Sequence, residues 1–510
     1  MELDRDLCSL QEARNLVRAA RQAQETLKDF TQEQVDHIID LMREAGEANA
    51  ARLAMMAVSE TGMGNYEDKC FKNYFASRTV YDFIKPMKTV GIIRKDAEQK
   101  LWEIAEPVGV IAGIIPTTNP TSTVIYKAMI ALKARNAIVF SPHPSAVRCT
   151  NEAAKIMHQA AVAAGAPEGV IGCILNVSMG ATQELMKHPS VAMILATGGS
   201  ALVKAAYSSG KPALGVGPGN VPAFVERSAD LAKAAEYIIM GKTFDNGTIC
   251  ASEQAIVAED CIADELIHHL KRFGAHFLDP EDVANVSKVV MLPNGGVNPK
   301  VVGKDPKFIA QLAGISIPDR TRCLVAPLSG VGPQWPLSYE KLTTVLGFYR
   351  VADWHEGCER CFQLLEAGGV GHSLAMHSNN EEIIREFALK KPVNRLLINT
   401  PAAMGGVGAT TGLAPSFTLG CGTWAGSSVS ENVTPQHLLN IKRVAWHQQI
   451  PDRKPVEPMN LKGSSERTQT QTQTQNQAQN QNQAQTPEVD AQLVQEIIKQ
   501  VMQHLNGMKC

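Results

Sequence analysis

The chain has 510 residues, of which 44% are hydrophobic, so it can bury sizeable cores and is long enough for about three domains. Its 49 basic and 51 acidic residues nearly cancel, which argues against nucleic-acid binding. We find neither a signal-peptide pattern nor an apolar run of about 20 residues, and therefore expect a cytosolic protein without membrane attachment. Eleven cysteines, an odd number scattered from Cys8 to Cys510, predict free thiols.

The first part of the chain predicts packing helices, a hairpin and then a parallel sheet. Apolar residues recur at helical spacing from Ser9 to Met56, and residues 89–102 resemble two short strands around a polar turn. Short continuous apolar runs, typical of strands buried on both faces, follow at Val108 to Ile115, Ala137 to Phe140, Gly172 to Leu175 and Met193 to Leu195. This alternation with helices predicts a doubly wound α/β domain.

A second α/β region is predicted from about Val225 to Leu413. Its strand candidates are Gln254 to Ala258, Val289 to Leu292, Cys323 to Ala326 and Leu374 to His377. The pair Cys358-x-x-Cys361 could be half of a metal site, but no second pair follows, and the pattern favours a buried helical stripe. We therefore predict no metal, and we expect the glycine- and serine-rich residues 419–428 to form a tightly packed loop.

The end of the chain changes character. Residues 468–485 are all Thr, Gln, Asn or Ala, a composition that predicts a disordered linker. Helix start and stop signals then bracket an apolar stripe made of Val489, Leu493, Val494, Ile497, Ile498, Val501, Met502 and Leu505. Because a flexible tether separates this stripe from any core, we expect it to dock on another protein.

Cys250 lies in F-D-N-G-T-I-C-A-S-E-Q, residues 244–254, between small and polar neighbours that predict an accessible thiol. Such a cysteine is either structural or a nucleophile. Two glycine-rich segments are interpreted as phosphate-binding turns or as ordinary loops. They are A-T-G-G-S-A-L, with Gly198, Gly199 and Ser200 opening a helix, and K-P-A-L-G-V-G-P-G-N, with Gly215, Gly217 and Gly219.

Together these segments resemble the CoA-acylating acetaldehyde and propionaldehyde dehydrogenases of the aldehyde dehydrogenase superfamily, over about residues 7–446. The matching segments, in order, are E-P-V-G-V-I-A-G-I-I-P-T-T-N-P-T-S, V-F-S-P-H-P, A-T-G-G-S, the loop of residues 215–220, F-D-N-G-T-I-C-A-S-E, G-V-G-H-S-L-A and P-S-F-T-L-G-C-G-T-W. The resemblance implies an α/β fold with a Rossmann-like cofactor domain, a catalytic α/β domain and a small oligomerisation element.

Domain boundaries follow from this resemblance. The expected units are a cofactor domain at 1–224 with the oligomerisation hairpin at about 87–105, a catalytic domain at 225–413, a return to the cofactor domain with an oligomerisation strand at 414–455, a linker at 456–486 and an amphipathic helix at 487–510. We expect a homo-oligomer, either a dimer or a tetramer.

The resemblance makes Cys250 the nucleophile that attacks an aldehyde and becomes an acyl-enzyme thioester. Hydrolytic members carry Glu-Leu-Gly-Gly, whose glutamate activates water, where this chain has Gly-Val-Gly-Pro at residues 215–218. The thioester is therefore expected to wait for a thiol, and coenzyme A is the thiol implied. The oxyanion donor is either Thr118 or Asn119, together with the backbone N–H of Cys250.

The implied redox cofactor is NAD, with NADP not excluded, since Ser141 stands where many members have a lysine and His143 follows it. The implied cofactor-binding residues are Pro116, Thr117, Ser141, His143, Gly198, Gly199, Ser200, Gly215, Gly217 and Glu340, the last on the nicotinamide ribose. His372, in G-V-G-H-S, either orients or deprotonates the CoA thiol or is a hydrogen-bonded structural histidine.

The terminal helix resembles the encapsulation peptides that direct enzymes into bacterial microcompartments. This implies a location in a microcompartment lumen within the cytoplasm, shell or cargo proteins as partners, and acetaldehyde or propionaldehyde as substrate. Two other functions stay open: a non-acylating dehydrogenase that releases free acid, and a catalytically silent assembly protein that uses the tail to organise partners.

Overall fold

Fifteen α-helices and fifteen strands are present in residues 4–449, the part of the chain that the computed structural model describes. The helices are α1 (Arg5–Leu27), α2 (Gln32–Thr61), α3 (Tyr66–Tyr74), α4 (Val80–Ile84), α5 (Pro120–Lys133), α6 (Val147–Ala163), α7 (Met179–Lys187), α8 (Ser200–Tyr207), α9 (Leu231–Thr243), α10 (Asp260–Arg272), α11 (Pro280–Val290), α12 (Pro306–Ala313), α13 (Trp354–Glu366), α14 (Glu381–Lys390) and α15 (Ala402–Gly406).

The strands form three separate sheets. They are β1 (Gly91–Asp96), β2 (Leu101–Pro107), β3 (Val110–Ile114), β4 (Ala137–Ser141), β5 (Ile171–Cys173), β6 (Val191–Thr197), β7 (Ala213–Val216), β8 (Val221–Val225), β9 (Glu253–Glu259), β10 (Ala275–Phe277), β11 (Cys323–Pro327), β12 (Val345–Val351), β13 (Gly371–His377), β14 (Val393–Ile398) and β15 (Leu439–Ala445). The predicted linker at 456–486 and helix at 487–510 lie outside the described residues.

The first sheet has five parallel strands in the order β5-β4-β3-β6-β7. Every residue of β3 and β4 is buried, because helices cover both faces, which explains the continuous apolar runs of the sequence. The chain order reverses between β3 and β6, so a crevice opens at the carboxyl ends of these strands. The predicted α/β fold class and the four predicted strands of this sheet are confirmed.

The second sheet has seven parallel strands in the order β10-β11-β12-β9-β8-β13-β14. The strand predicted at Val289 to Leu292 is wrong, because residues up to Val290 belong to α11. That helix begins at an Asp279 cap and buries Val286 and Val290 four residues apart. A four-residue apolar run cannot distinguish a strand from the end of such a helix.

The third sheet is antiparallel, in the order β1-β2-β15. The predicted hairpin is confirmed as β1 and β2, and β15 pairs with β2 along its whole length, from Leu439 opposite Pro107 to Ala445 opposite Leu101. Trp102 and Trp446 pack edge to face with ring centroids 4.8 Å apart.

The predicted N-terminal helices are confirmed as α1 and α2. A capping box between Thr31 and Gln34 starts α2, and Gly62 ends it in the left-handed conformation at φ 64°. In α13, Cys358 and Cys361 are buried, as the apolar stripe predicts. None of the helices in residues 4–449 has the length and apolar content that crossing a lipid bilayer requires.

Candidate active site

A cavity of about 950 Å³ opens where the loops after β3, β4, β6 and β7 meet the turn before β9. It gathers most of the residues that the sequence singled out. Those that line it are Pro116, Thr117, Thr118, Asn119, Ser141, His143, Gly198, Gly199, Gly217, Cys250 and Glu340. The crevice expected at a reversal of strand order therefore contains both the candidate nucleophile and the candidate cofactor-binding loops.

Cys250 is presented by an unusual turn. Asp245, Asn246 and Gly247 have φ values of 48°, 52° and 77°, three consecutive residues in the left-handed region. Only glycine fits the third position, because a Cβ there would lie 2.9 Å from the backbone oxygen of Thr343. The turn leads through residues 248–249 to Cys250 at the cavity wall, three residues before β9 begins.

The thiol is less accessible than its small neighbours predict, because Cys250 is half-buried. Burial raises the pKa of Cys250 to about 12, and the nearby Glu340 and Cys421 act in the same direction, while Arg395 opposes them. The thiol is therefore neutral at physiological pH in the unliganded protein, and it must lose its proton during the reaction.

Gly219 connects three of the predicted residues. Its backbone N–H donates to Oε1 of Glu340 at 2.8 Å. A Cβ at this glycine would lie 2.2 Å from the backbone oxygen of Cys250 and 3.0 Å from Cγ of His372. Burial raises the pKa of Glu340 to about 7, although the Gly219 N–H favours the charged form.

His372 is fully buried and is not among the described residues that line the cavity. Its Nδ1 lies 3.0 Å from Oγ of Ser373, which accepts a hydrogen bond from Nε of Arg395. Nε2 has no hydrogen-bond partner among the described residues. Burial, reinforced by the Arg395 charge, holds the pKa of His372 well below its ordinary value, so the imidazole is neutral at pH 7.

Two of the predicted cofactor-binding residues, Gly215 and Ser200, belong to a strand and a helix and not to a loop. Gly215 lies within β7, where a Cβ would come within 2.8 Å of Val203 and 2.9 Å of Tyr207. This glycine therefore permits α8 to pack on the sheet and does not line the cavity. Ser200 is the first residue of α8, directly after Gly199.

The two candidate oxyanion donors, Thr118 and Asn119, are adjacent in the loop between β3 and α5. Nδ2 of Asn119 lies 3.1 Å from Oγ1 of Thr118 and 3.3 Å from the backbone oxygen of Thr248. Its Oδ1 accepts a hydrogen bond of 2.5 Å from Nζ of Lys72. Lys72 lies on α3, behind the cavity wall, and no sequence motif identifies it.

The cavity fits a dinucleotide cofactor. The ideal Cβ positions of Gly199 and Gly217 meet nothing within 4 Å, so backbone is open to a ligand there. Gly199 caps α8 without a side chain, which leaves the first N–H groups of this helix to face an anion. The hydroxyl of Ser141 shares a 2.8 Å hydrogen bond with that of Thr182, and His143, two residues further on, also lines the cavity.

Comparison with known proteins finds a family model, curated relatives and solved structures that are similar to this chain. The family model described as "Aldehyde dehydrogenase family" matches residues 5–277. The bifunctional aldehyde-alcohol dehydrogenase AdhE of Escherichia coli is 46% identical over 444 residues, which are 85% of this chain and 50% of that protein. The chain thus spans about half the length of this curated relative.

Two solved structures are matched over almost their full length. An acetylating aldehyde dehydrogenase from Geobacillus thermoglucosidasius is 53% identical with a TM-score of 0.87, covering 89% of this chain and 100% of that one. A propionaldehyde dehydrogenase from the Clostridium phytofermentans fucose utilisation bacterial microcompartment is 29% identical with a TM-score of 0.78, covering 87% and 99%. By its sequence, its sheets and the cavity around Cys250, the chain belongs to the aldehyde dehydrogenase family.

Proposed function

We propose that this protein oxidises a short-chain aldehyde, acetaldehyde or propionaldehyde, to its acyl-CoA with NAD as hydride acceptor. The observation that carries the proposal is the set of acidic groups around Cys250. Among the described residues that line the cavity, Glu340 alone has a carboxylate. Its Oε1 is held by the N–H of Gly219, and residues 215–218 supply no second carboxylate to activate water.

In the first half-reaction the Cys250 sulfur bonds to the aldehyde carbon as the carbonyl π bond breaks, which gives a thiohemiacetal. The thiol proton needs an acceptor, and Glu340 can take it because a carboxyl with a pKa of about 7 is partly ionised at neutral pH. Donors at the cavity wall hold the developing oxyanion. When bound in the cavity, NAD would supply the hydride acceptor, which would leave a thioester on Cys250. Glu340 would then release the thiol proton to solvent.

In the second half-reaction the CoA sulfur bonds to the acyl carbon and the bond to the Cys250 sulfur breaks. The product is acyl-CoA, and the proton of the incoming thiol restores the Cys250 thiol. Hydrolysis competes poorly because Glu340 is held by the Gly219 N–H and residues 215–218 supply no second carboxylate to activate water. His372 is proposed to act on the CoA thiol in this half-reaction, and its full burial next to Gly219 favours the alternative, a hydrogen-bonded structural histidine.

The test is NADH formation from acetaldehyde and NAD, with and without CoA, in the wild type and Cys250→Ala. We expect steady turnover only with CoA, a single turnover of NADH without it, and neither in Cys250→Ala. Steady turnover without CoA would show that another group activates water and that the enzyme releases free acid. No NADH from any short aldehyde would leave the assembly role as the better account.

We also propose that the enzyme works inside a bacterial microcompartment as a homo-oligomer, directed there by residues 487–510. Support comes from the apolar stripe after a polar linker in the sequence, and from the microcompartment source of one relative. Deleting residues 487–510 should leave activity in solution unchanged and abolish co-purification with shell proteins. Unchanged co-purification would refute the targeting role.

A further inference from the structure

Behind the oxyanion side of the cavity lies a buried charge cluster, which we name the Asp245 cluster: Lys69, Lys72, Asp245 and Thr248. We propose that Lys72, held by Asp245, is a positioning residue that fixes the amide of Asn119 with its N–H groups toward the nucleophile turn. The proposal rests on the function proposed above, since it concerns the same oxyanion.

The amide orientation follows from the chemistry of its neighbours. A lysine ammonium can only donate hydrogen bonds, so the Asn119 atom that lies 2.5 Å from Nζ of Lys72 must be the oxygen. The amide nitrogen then faces the backbone oxygen of Thr248 at 3.3 Å, two residues before Cys250. The reversed amide would place NH₂ against the ammonium and an oxygen against the Thr248 carbonyl. Lys72 therefore settles which end of Asn119 faces the nucleophile turn.

Asp245 holds Lys72 in place. Its Oδ2 accepts hydrogen bonds from the ammonium groups of Lys69 and Lys72 and from Oγ1 of Thr248, the last at 2.7 Å. Although burial raises the pKa of Asp245, the two ammonium groups outweigh it, so the pKa stays below its ordinary value. All three charged side chains are buried, which removes the screening that would weaken the pairs at a surface.

The same carboxylate also stabilises the turn that presents the nucleophile. Oδ1 of Asp245 accepts from the backbone N–H of Asn65 at 2.9 Å, and the backbone N–H of Asp245 donates to Asp68 at 2.7 Å. Asp245 itself has a φ of 48°, an uncommon conformation that these contacts hold. One side chain thus links the position of Cys250 to the orientation of Asn119.

The variant that tests the proposal is Lys72→Met, which removes the donor and keeps an unbranched side chain. Asp245 keeps three partners in this variant, namely Lys69, Thr248 and the N–H of Asn65, so the turn is expected to persist. Lys391→Met is the matched control, because Lys391 is also buried and donates to a backbone oxygen, that of Cys358 at 2.7 Å, in the second sheet's layer.

The readout is the rate of the single NADH turnover without CoA, together with kcat and KM in the full reaction. Loss of one oxyanion donor costs about 100-fold to 1,000-fold in rate, and we expect Lys72→Met to lose about 10-fold to 100-fold with KM changed less than about threefold. The decisive comparison is Lys72→Met combined with Asn119→Ala. If Lys72 acts through Asn119, the double variant is no slower than Asn119→Ala alone.

Two results would overturn the proposal: an unchanged rate in Lys72→Met, or losses that multiply in the double variant. If Lys72→Met does not fold, Lys72→Gln retains a donor for Asn119 and is expected to keep most of the rate, whereas a rate as low as that of Asn119→Ala would count against the proposal. Failure of the proposed function is a separate result, because it would already be visible as missing CoA-dependent turnover in the wild type.

Discussion

Glu340 has two proposed roles, cofactor binding and proton transfer. Its carboxylate faces the cofactor cavity, and its pKa lies near 7. We expect Glu340→Gln to raise KM for NAD by about 10-fold, the cost of losing one charged hydrogen bond. We also expect the ionisation near pH 7 to disappear from the pH profile of the single NADH turnover. Measuring KM for NAD and the rate of the single NADH turnover, in the variant and the wild type between about pH 5.5 and 9, separates cofactor binding from proton transfer. A raised KM with an unchanged profile would leave only the cofactor contact.

Glu253 shows how burial without a charge partner affects stability. Its Oε1 accepts the N–H of Ala402 at 2.6 Å, Oε2 has no hydrogen-bond partner among the described residues, and burial raises the pKa to about 8. The folded protein therefore keeps a proton that the unfolded chain releases between about pH 4.5 and 8, so this residue costs stability as pH rises through that window.

Replacing Glu253 by Gln should remove that pH-dependent cost. We expect Glu253→Gln to be more stable than the wild type by about 4 kcal/mol at pH 8, with the difference falling below about 0.5 kcal/mol at about pH 4.5. Denaturant unfolding of both proteins at the two pH values measures it. A difference that does not depend on pH would mean that Glu253 does not change its protonation on folding.

At the scale of elements, the loop between β7 and β8 approaches the nucleophile so closely at Gly219 that this position tolerates no side chain. A Cβ at Gly219 would lie 2.2 Å from the backbone oxygen of Cys250, whereas at Gly368 it would meet nothing within 4 Å. We expect Gly219→Ala to displace Cys250 and lower kcat about 100-fold, and Gly368→Ala to leave kcat unchanged. Steady-state kinetics of both variants tests this. Equal activities would show that the loop can move aside without cost.

Helices and strands are predictable from the sequence where apolar residues recur at a regular spacing or form a continuous run. The Asp245 cluster is not predictable in this way. The strands of the first sheet are recognisable because β3 and β4 are buried on both faces and are apolar throughout except for Ser141. The end of α11 resembles a strand because its last apolar residues carry no helical period of their own. Lys72 lies 173 residues before Asp245, and no local pattern in α3 indicates that pairing.

At the scale of the whole molecule, the cavity wall is built from loops of the first sheet and from the turn before β9 of the second. A ligand that contacts both should stabilise the fold. We expect NAD at about 100 times its Kd to add about 2.7 kcal/mol to the free energy of unfolding, and Tm to rise accordingly. Thermal unfolding with NAD and with NADP, each over a concentration series, measures this and ranks the cofactors. An unchanged Tm with either nucleotide would contradict a dinucleotide site here.

The residues that make up the site are predictable from the sequence, and their electrostatic state is not. Short motifs carry residue identity, so the sequence alone predicts Cys250, the alternatives Thr118 and Asn119, and the glycines that line the cavity. The raised pKa of Cys250 and the lowered pKa of His372 result from burial by side chains that are distant in the sequence. No local motif indicates that burial.

The pairing of β15 with β2 has a consequence for biosynthesis. These strands are far apart in the sequence, as the register of Ala445 with Leu101 shows. Until the ribosome has released β15, the outer edge of β2 has unpaired N–H and C=O groups that can template pairing with another nascent chain. Chaperone protection should therefore matter most in this interval, and chains that terminate before residue 439 should aggregate even though both large sheets are complete.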